Sequence, residues 1–312
     1  MVQFKGNMGT LALVLATATA GIALRAGVSG AAMIASDNAS NYTATSFTNG
    51  ANGGSGFSPF DIVTTNNNSP PYAGTYLSVG GKNIATSTGT TAGSPNTAKA
   101  AFGVYANTPS TTATPAVNVL RDFVASSGSG LGTLRAGQTF SVALQSNGVG
   151  GGTNASDGFA LQNGAGVGAT TLFSLAYNGA NATDDMQITD KNGTVNAGAV
   201  TGGGGAIPFA DLGNGLNASF TLGTSTALGT PYTLTVSPAT GNTSFTAPQT
   251  YTGTVANSAI NQVNLFTVNT SGNGYFNSLA VGAATAPIPE PATLGLLGVG
   301  AVALLRKKRR TA

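Results

Sequence analysis

Short runs in which every second residue is apolar recur through the middle of this chain, and they constrain its fold more than any other feature. Residues 139–144, 216–222 and 232–236 alternate between apolar and polar side chains, so each would present one apolar face as an extended strand. Asn-Gly pairs at residues 147–148 and 178–179 follow such runs, and this dipeptide supplies the positive φ angles of tight hairpins. No segment of the body has a convincing helical period. The pattern predicts an all-β domain.

The number of these runs indicates how the strands are arranged. Roughly 12 to 14 candidate strands are too many for one flat sheet, and two packed antiparallel sheets are the economical solution. The glycine-rich segments 148–152 and 202–205 are predicted to be mobile loops within this sandwich. A split into two domains near residues 125–135 is a weaker alternative. We therefore predict an antiparallel β-sandwich over residues 33–286.

Several residue types that carry enzyme chemistry are missing. The chain has no Cys, His or Trp, and its only glutamate is Glu290. Ser-His-Asp triads, Cys-His pairs, imidazole zinc sites and disulfides therefore cannot be built. Glycoside hydrolysis usually needs two carboxylates, and the body offers only aspartates. The composition predicts a protein that is not an enzyme and, apart from a calcium ion considered below, has no cofactor.

The basic character of the chain comes from its C-terminal tail. The formal net charge is +3, but five of the twelve cations are residues 306–310. Residues 33–286 contain five cations and eight aspartates, which is a net charge of −3. The body thus has no basic patch for a phosphate backbone, and we expect no nucleic-acid partner.

Residues 1–32 have the layout of a secretory signal peptide. Lys5 precedes an apolar run over residues 11–24, and small residues follow at 29–32. Arg25 ends the run short of the roughly 20 residues that a spanning helix needs, which favours a cleaved signal over an anchor. We expect cleavage near residues 31–32, with a site after Ala20 as the alternative. A buried N-terminal helix of a cytosolic domain is the competing interpretation.

Residues 287–312 contain three blocks in a fixed order. Pro289, Glu290 and Pro291 come first, an apolar stretch follows over residues 292–305, and five cations close the segment. The apolar stretch is predicted to form a short transmembrane helix, and the cations are expected to stay on the cytoplasmic side of the inner membrane. These cations are Arg306, Lys307, Lys308, Arg309 and Arg310.

This tail resembles the PEP-CTERM sorting signal of Gram-negative bacteria. The resemblance implies recognition by exosortase, a membrane cysteine protease, with Pro289, Glu290 and Pro291 as the recognition motif and residues 306–310 as the orientation cluster. It also implies cleavage near the motif and transfer to the cell surface or extracellular matrix. An ordinary tail anchor with a proline-rich hinge is the alternative.

The body has a looser resemblance of its own. The segments SDNAS, GFSPFDI, FGVYAN, RAGQTFSVALQSNG, DGFALQNG and YFNSLAV are similar to a recurrent ectodomain of PEP-CTERM proteins. That ectodomain is related to concanavalin A-like jelly rolls, the architecture of legume lectins and laminarinases. The resemblance implies a jelly-roll-like sandwich and brings no catalytic residues, because laminarinase-like enzymes need a glutamate that this body lacks.

The densest acidic cluster is a candidate calcium site. Asp184, Asp185 and Asp190 lie within seven residues, and calcium accepts carboxylate and carbonyl oxygens together. The alternative is a plain hairpin with Met186 and Ile188 on its core face. Neighbouring residues on a strand face opposite sides, so Asp184 and Asp185 are poorly placed as an acid and base pair.

Exposed aromatic residues beside amides are typical of carbohydrate-binding sites. Tyr72, Tyr76, Tyr105 and Asn107 are the candidates in this chain, with Tyr177 as a further one. Each of these tyrosines has a structural alternative as a core or cross-strand aromatic. The sequence thus predicts an exported surface or matrix protein with a structural body, and the alternative is a lectin-like module that binds exopolysaccharide.

Overall fold

Strands form wherever the sequence alternates between apolar and polar residues. The computed structural model describes residues 33–43, 46–65, 72–79, 100–107, 114–124, 132–148, 154–179, 185–200, 203–239, 242, 245 and 247–283. The strands in these ranges are β1 (Met33–Asp37), β2 (Asp61–Thr65), β3 (Ala73–Val79), β4 (Ala100–Ala106), β5 (Ala116–Asp122), β6 (Thr139–Ser146), β7 (Ser156–Asn163), β8 (Thr170–Asn178), β9 (Gln187–Asp190), β10 (Gly193–Asn196), β11 (Leu216–Leu222), β12 (Thr230–Pro238), β13 (Gln249–Val255), β14 (Gln262–Val268) and β15 (Asn273–Gly282).

The strands form two sheets, as predicted. Sheet I has the order β13-β12-β11-β6-β15-β4-β3, and β1 also pairs with β15. Sheet II has the order β10-β9-β8-β7-β14-β5-β2. Every strand pair in both sheets is antiparallel. The prediction of an all-β antiparallel sandwich is therefore confirmed.

The core lies between the two sheets, where the apolar face of each strand is buried. Strand β11 shows this most clearly, because its buried and partly exposed residues alternate along its whole length. A continuous series of aromatic contacts crosses the interior, with ring centroids 4.7 to 6.1 Å apart. Truncating a large buried ring of this kind to alanine typically lowers the free energy of unfolding by about 3–5 kcal/mol. The rings belong to Phe123, Phe140, Phe159, Phe173, Phe220 and Tyr232.

Strand β15 holds sheet I together because it has two successive partners along one edge. Its first half pairs with β4 and its second half with β1, while β6 lies on its other side. Ser278 has a φ of 52° at the irregularity between the two halves. The buried Asn277 side chain compensates there, accepting from the Ala39 amide at 2.8 Å and donating to the Ala100 carbonyl at 3.0 Å. An amide side chain thus replaces the ladder bonds that the change of partner interrupts.

One local prediction needs correction. A single-turn helix, α1 (Phe209–Asn214), precedes β11, and it was missed because six residues are too few to show a helical period. The described part of segment 202–205 bonds to β13, where the Gly205 amide donates to Gln249 Oε1 at 2.8 Å. The Tyr251 hydroxyl donates to the Gly205 carbonyl as well. In the other predicted mobile loop, residues 149–152 lie outside the described residues. In addition, 3-10 helices span Ala39–Asn41 and Ala197–Ala199.

Candidate functional site

Three tyrosines meet on the outer face of sheet I. Tyr76 on β3, Tyr105 on β4 and Tyr275 on β15 lie on neighbouring strands, opposite the face that packs into the core. The Tyr76 ring centroid is 6.2 Å from that of Tyr105 and 6.4 Å from that of Tyr275. With Asn147 and Asn273, these residues form a surface that we call the tyrosine patch.

Glycines allow the tyrosine rings to lie against the sheet. Gly103 is the cross-strand partner of Tyr76, and Gly74 is that of Tyr105. A Cβ atom on Gly103 would lie 2.6 Å from the Tyr76 ring, and one on Gly74 would lie 2.7 Å from the Tyr105 hydroxyl oxygen. No larger residue fits at either position without moving the ring, so the two glycines set the orientation of the patch.

The two asparagines hold the hydroxyl groups of the patch. Asn273 Nδ2 donates to the Tyr76 hydroxyl at 2.9 Å, and Asn147 Nδ2 donates to the Tyr275 hydroxyl at 3.2 Å. The Tyr76 hydroxyl in turn donates to that of Tyr275 at 3.2 Å. Burial, followed by the hydrogen bond with Tyr275, raises the pKa of Tyr76. Its hydroxyl therefore stays protonated and remains a hydrogen-bond donor.

The structure brings together two of the four predicted carbohydrate-binding residues. Tyr76 and Tyr105 are part of the patch, and both are half-buried. Tyr72 and Asn107 are next to each other at one end of β3 and β4, where the Asn107 amide donates to the Tyr72 carbonyl at 2.7 Å. The further candidate Tyr177 is instead a buried residue that packs against Phe209.

Sequence reasoning missed Tyr275, Asn147 and Asn273. Tyr275 lies 199 residues from Tyr76, and only the pairing of β15 with β4 makes them neighbours. A signal was present in the segments SNG and YFNSLAV, which contain two of the missed residues, but nothing local linked those segments to β3.

The predicted calcium ligands serve structural roles where they are described. Asp185 accepts from the Ile207 amide at 2.7 Å and from the Gly198 amide at 2.8 Å, one at each carboxylate oxygen. Asp190 accepts from the amide of Asn192 at 2.7 Å and from the Tyr232 hydroxyl at 3.1 Å. A calcium ion shared by these two would have to displace those donors.

The hairpin alternative is confirmed around the acidic cluster. Strands β9 and β10 pair across a turn at residues 191–192, and Met186 and Ile188 are buried in the core. Asp184 lies outside the described residues, and no group of three metal-ligating side chains occurs within those ranges. Calcium binding therefore stays a prediction that depends on Asp184.

A buried ion pair connects the two sheets and was not predicted. Asp37 at the end of β1 belongs to sheet I, Arg121 on β5 belongs to sheet II, and their side chains bond directly with both fully buried. Arg121 also donates from Nε to the Ser58 carbonyl and from Nη2 to Asn52 Oδ1, each at 2.7 Å. We call Asp37 and Arg121 the inter-sheet ion pair.

The carboxylate of this pair is fully supplied with donors. The Tyr42 hydroxyl donates to Asp37 Oδ2 at 2.7 Å, and the Asn38 amide donates to Oδ1 at 2.8 Å. Tyr42 in turn accepts from the Gly53 amide at 2.7 Å. Burial, followed by the bond to Asp37, raises the pKa of Tyr42 to about 12. The segment SDNAS therefore supplies the acid of a structural cluster.

Aromatic rings enclose the cation of this pair. The Arg121 guanidinium carbon lies 4.2 Å from the ring centroid of Phe60 and 5.1 Å from that of Phe57. Both rings come from the segment GFSPFDI, and rings at this distance attract a desolvated cation through their negative faces. The segments SDNAS and GFSPFDI thus both supply residues to the interior of the sandwich.

A second buried carboxylate has no cation. Asp157 on β7 is buried between the sheets, and its Oδ1 accepts from Thr267 Oγ1 at 3.3 Å. Its Oδ2 and the nearby Ser146 Oγ are buried without a hydrogen-bond partner among the described residues. Burial raises the pKa of Asp157 to about 7, although hydrogen bonds from Thr267 and the Gly158 amide partly oppose the shift.

The predicted sorting and membrane residues lie outside the described residues. These are Pro289, Glu290 and Pro291, residues 292–305 and the cations at 306–310; the same holds for residues 1–32. Within the described part of the chain, no helix has the length and hydrophobicity needed to cross a bilayer.

Comparison with solved structures gives distant similarities. The chain is similar to an alginate lyase from Pseudomonas aeruginosa, with 14% identity and a TM-score of 0.34 over 59% of this chain and 82% of that one. It is similar to the Ca²⁺- and Man3GlcNAc-bound exoplasmic/lumenal domain of VIP36, with 8% identity and a TM-score of 0.36 over 61% and 83%. It is also similar to the PL-14 alginate lyase from Aplysia kurodai, with 11% identity and a TM-score of 0.34 over 58% of this chain and 82% of that one.

Comparison with protein families identifies the C-terminal segment. The model of the PEP-CTERM protein-sorting motif matches residues 287–310. A search of curated proteins finds no match to the chain. The predicted PEP-CTERM motif is therefore confirmed, and it includes all three motif residues and the five cations.

Proposed function

We propose that this chain is an exported surface or matrix protein that exosortase sorts through its C-terminal signal. The observation that carries the proposal is the PEP-CTERM match over residues 287–310. In this proposal Pro289, Glu290 and Pro291 are the recognition motif, and the sandwich is the cargo that reaches the cell surface or the extracellular matrix.

The physical properties of the tail suit a temporary membrane intermediate. An apolar helix over residues 292–305 would be about 21 Å long, shorter than the ~30 Å hydrocarbon core. Such a helix needs the neighbouring cations at residues 306–310 to fix its orientation, since positive residues stay on the cytoplasmic side. The segment can therefore hold the protein in the inner membrane until exosortase cuts it.

We further propose that the body is not an enzyme. The placement of its aspartates supports this, because the carboxylates of Asp37, Asp185 and Asp190 are bonded to groups that hold the fold together. Asp122 similarly accepts from Gln262 Nε2 at 2.8 Å. A structural role for the sandwich is the simplest function consistent with these contacts.

The sorting proposal is tested by the mass of the mature C-terminus. In a host that encodes an exosortase, Glu290→Ala and deletion of residues 306–310 are each expected to leave full-length protein in the membrane fraction. Thr311→Ala, beyond the cations, is the matched control and should be processed like the wild type. The proposal is wrong if both altered chains reach the surface with the wild-type mass.

The tyrosine patch favours a second function, binding of exopolysaccharide. Tyr76 and Tyr105 offer ring surface for stacking on the apolar faces of sugars. The side-chain amides of Asn147 and Asn273 lie beside these rings, where they would be near the hydroxyl groups of a stacked sugar. Both tyrosines keep part of their surface accessible to solvent. In this proposal the sandwich attaches the exported protein to neutral polysaccharide, with calcium as an optional ligand of the acidic cluster.

A polysaccharide pull-down separates the two functions. Binding that falls at least tenfold in Tyr105→Ala and is kept in Tyr105→Phe would support stacking at the patch, since only the first variant loses the ring. Each variant is measured with calcium and with a chelator, and Asp190→Asn reports on the acidic cluster. A body that binds no polysaccharide under either condition has only the structural function.

A further inference from the structure

Both ends of the folded body leave the sandwich at the same place. Strand β1 begins at Met33 and β15 ends at Gly282, and these two residues are paired in the antiparallel ladder. The chain therefore enters and leaves the sandwich at one end of sheet I. We call this the exit end.

The tyrosine patch lies at the opposite end of the same strand. Asn273 and Tyr275 are at the start of β15, and Tyr105 is the ladder partner of Asn273. Tyr275 and Gly282 are seven positions apart, which corresponds to roughly 20 Å along a strand. The rigid ladder of sheet I fixes this separation.

The connection from the exit end to the membrane segment is short. Nine residues, 283–291, lie between Gly282 and the predicted helix, and a fully extended chain of that length spans at most about 30 Å. Three of the nine are prolines, which restrict the chain further. The exit end cannot move far from a bilayer that holds the helix.

The side chains at the two ends differ in a way that fits this placement. Arg135 and Ile34 are exposed at the exit end, where both line one groove with Val281 and Thr133. Anionic phospholipid head groups attract such a cation. Asn107, Asn147 and Ser271, which are exposed at the far end, are uncharged.

We infer that the exit end faces the lipid surface while the C-terminal helix is inserted, and that the tyrosine patch points away from it. The inference rests on the proposed membrane intermediate. Polysaccharide outside the membrane then reaches the patch before exosortase acts, so binding and sorting do not compete.

Because the chain contains no cysteine, single-cysteine variants can measure this orientation directly. Full-length protein from a host without exosortase is labelled at Thr133→Cys or Ser271→Cys and placed in phosphatidylethanolamine–phosphatidylglycerol vesicles with an acceptor dye on the lipid head groups. Thr133 and Ser271 are exposed loop residues at the exit end and the far end. Transfer from Thr133→Cys should exceed that from Ser271→Cys about twofold or more, given the ~20 Å separation.

A second pair, Ala136→Cys at the exit end and Asn107→Cys at the far end, should show the same difference in energy transfer. This pair replaces the first if one of those variants fails to fold. Equal or reversed transfer in vesicles that float with their protein overturns the orientation and leaves the sorting proposal intact. If the full-length protein does not float with the vesicles, the proposed membrane intermediate is wrong, and the proposed orientation is wrong as well.

Discussion

Two carboxylates are buried between the sheets of this sandwich, and they are stabilised in opposite ways. Asp37, near the exit end, is paired with Arg121 and has donors at both oxygens. Asp157, nearer the tyrosine patch, has no cation, and one oxygen has no partner among the described residues. A buried charge costs several kcal/mol unless it is paired. Asp37 is therefore stabilised as an ion by Arg121, whereas Asp157 avoids the charge by staying protonated below about pH 7.

The largest expected effect comes from breaking the ion pair on one side. Arg121→Met leaves Asp37 buried without its cation, and we expect the free energy of unfolding to fall by roughly 3–5 kcal/mol. Urea denaturation followed by circular dichroism measures this change. Arg135→Met, at an exposed cation, is the control and should change stability by less than about 0.5 kcal/mol. A small effect of Arg121→Met would mean that the pair is not part of the folded core.

The next effect is a pH dependence that belongs to Asp157. Its pKa is raised from 3.8 to about 7 in the folded state, so the unfolded chain loses its proton first as the pH rises. The free energy of unfolding is therefore not reduced by this group below pH 4. Between pH 4 and 7 it falls by up to about 1.4 kcal/mol per pH unit. Above pH 7 both states are ionised and the loss stops growing.

Asp157→Asn isolates this contribution. The amide is neutral at every pH, keeps an oxygen for Thr267 and gains a donor for Ser146, so the variant should be more stable than the wild type at pH 8. The difference between the two unfolding free energies should shrink as the pH falls toward 4. A difference that is constant from pH 4 to 8 would show that Asp157 titrates normally.

The smallest effect tests how closely the sheets pack over Asp157. Gly274 on β15 faces this carboxylate, and a Cβ atom there would collide with both of its oxygens. Gly274→Ala should therefore cost about 1–3 kcal/mol through overpacking. Gly168→Ala is the matched control, because its Cβ would meet no atom within 4 Å. Thermal unfolding of the two variants side by side measures the difference, and equal midpoints would contradict the close approach.

Local patterns predicted the elements of the fold well. The alternating runs at residues 139–144 and 216–222 form β6 and β11, because an apolar face every second residue can be buried only by a strand. The hairpin of β9 and β10 follows from its turn residues in the same way. Helix α1 was missed since a single turn leaves no periodic signal.

The candidate site was predicted only in part. Tyr76 and Tyr105 could be proposed from their local context, whereas Tyr275 joins them through the neighbouring positions of β4 and β15 in sheet I. The aspartate cluster was identified by its spacing in the sequence, yet Asp185 and Asp190 bond to different segments once the chain is folded. Spacing along a chain therefore predicts a shared ligand poorly when a strand separates the residues.

The all-β class and the sorting segment can be read from local sequence, because strand periodicity and the Pro-Glu-Pro, apolar and basic blocks are encoded by residues close together in the chain. Which distant residues meet depends on the folded chain: Arg121 and Asp37 are 84 residues apart in sequence, and Tyr76 and Tyr275 are 199 apart. Strand order sets such contacts, and burial then sets the charge state of Asp157. Neither can be obtained from local sequence, since both depend on the packing of the two sheets.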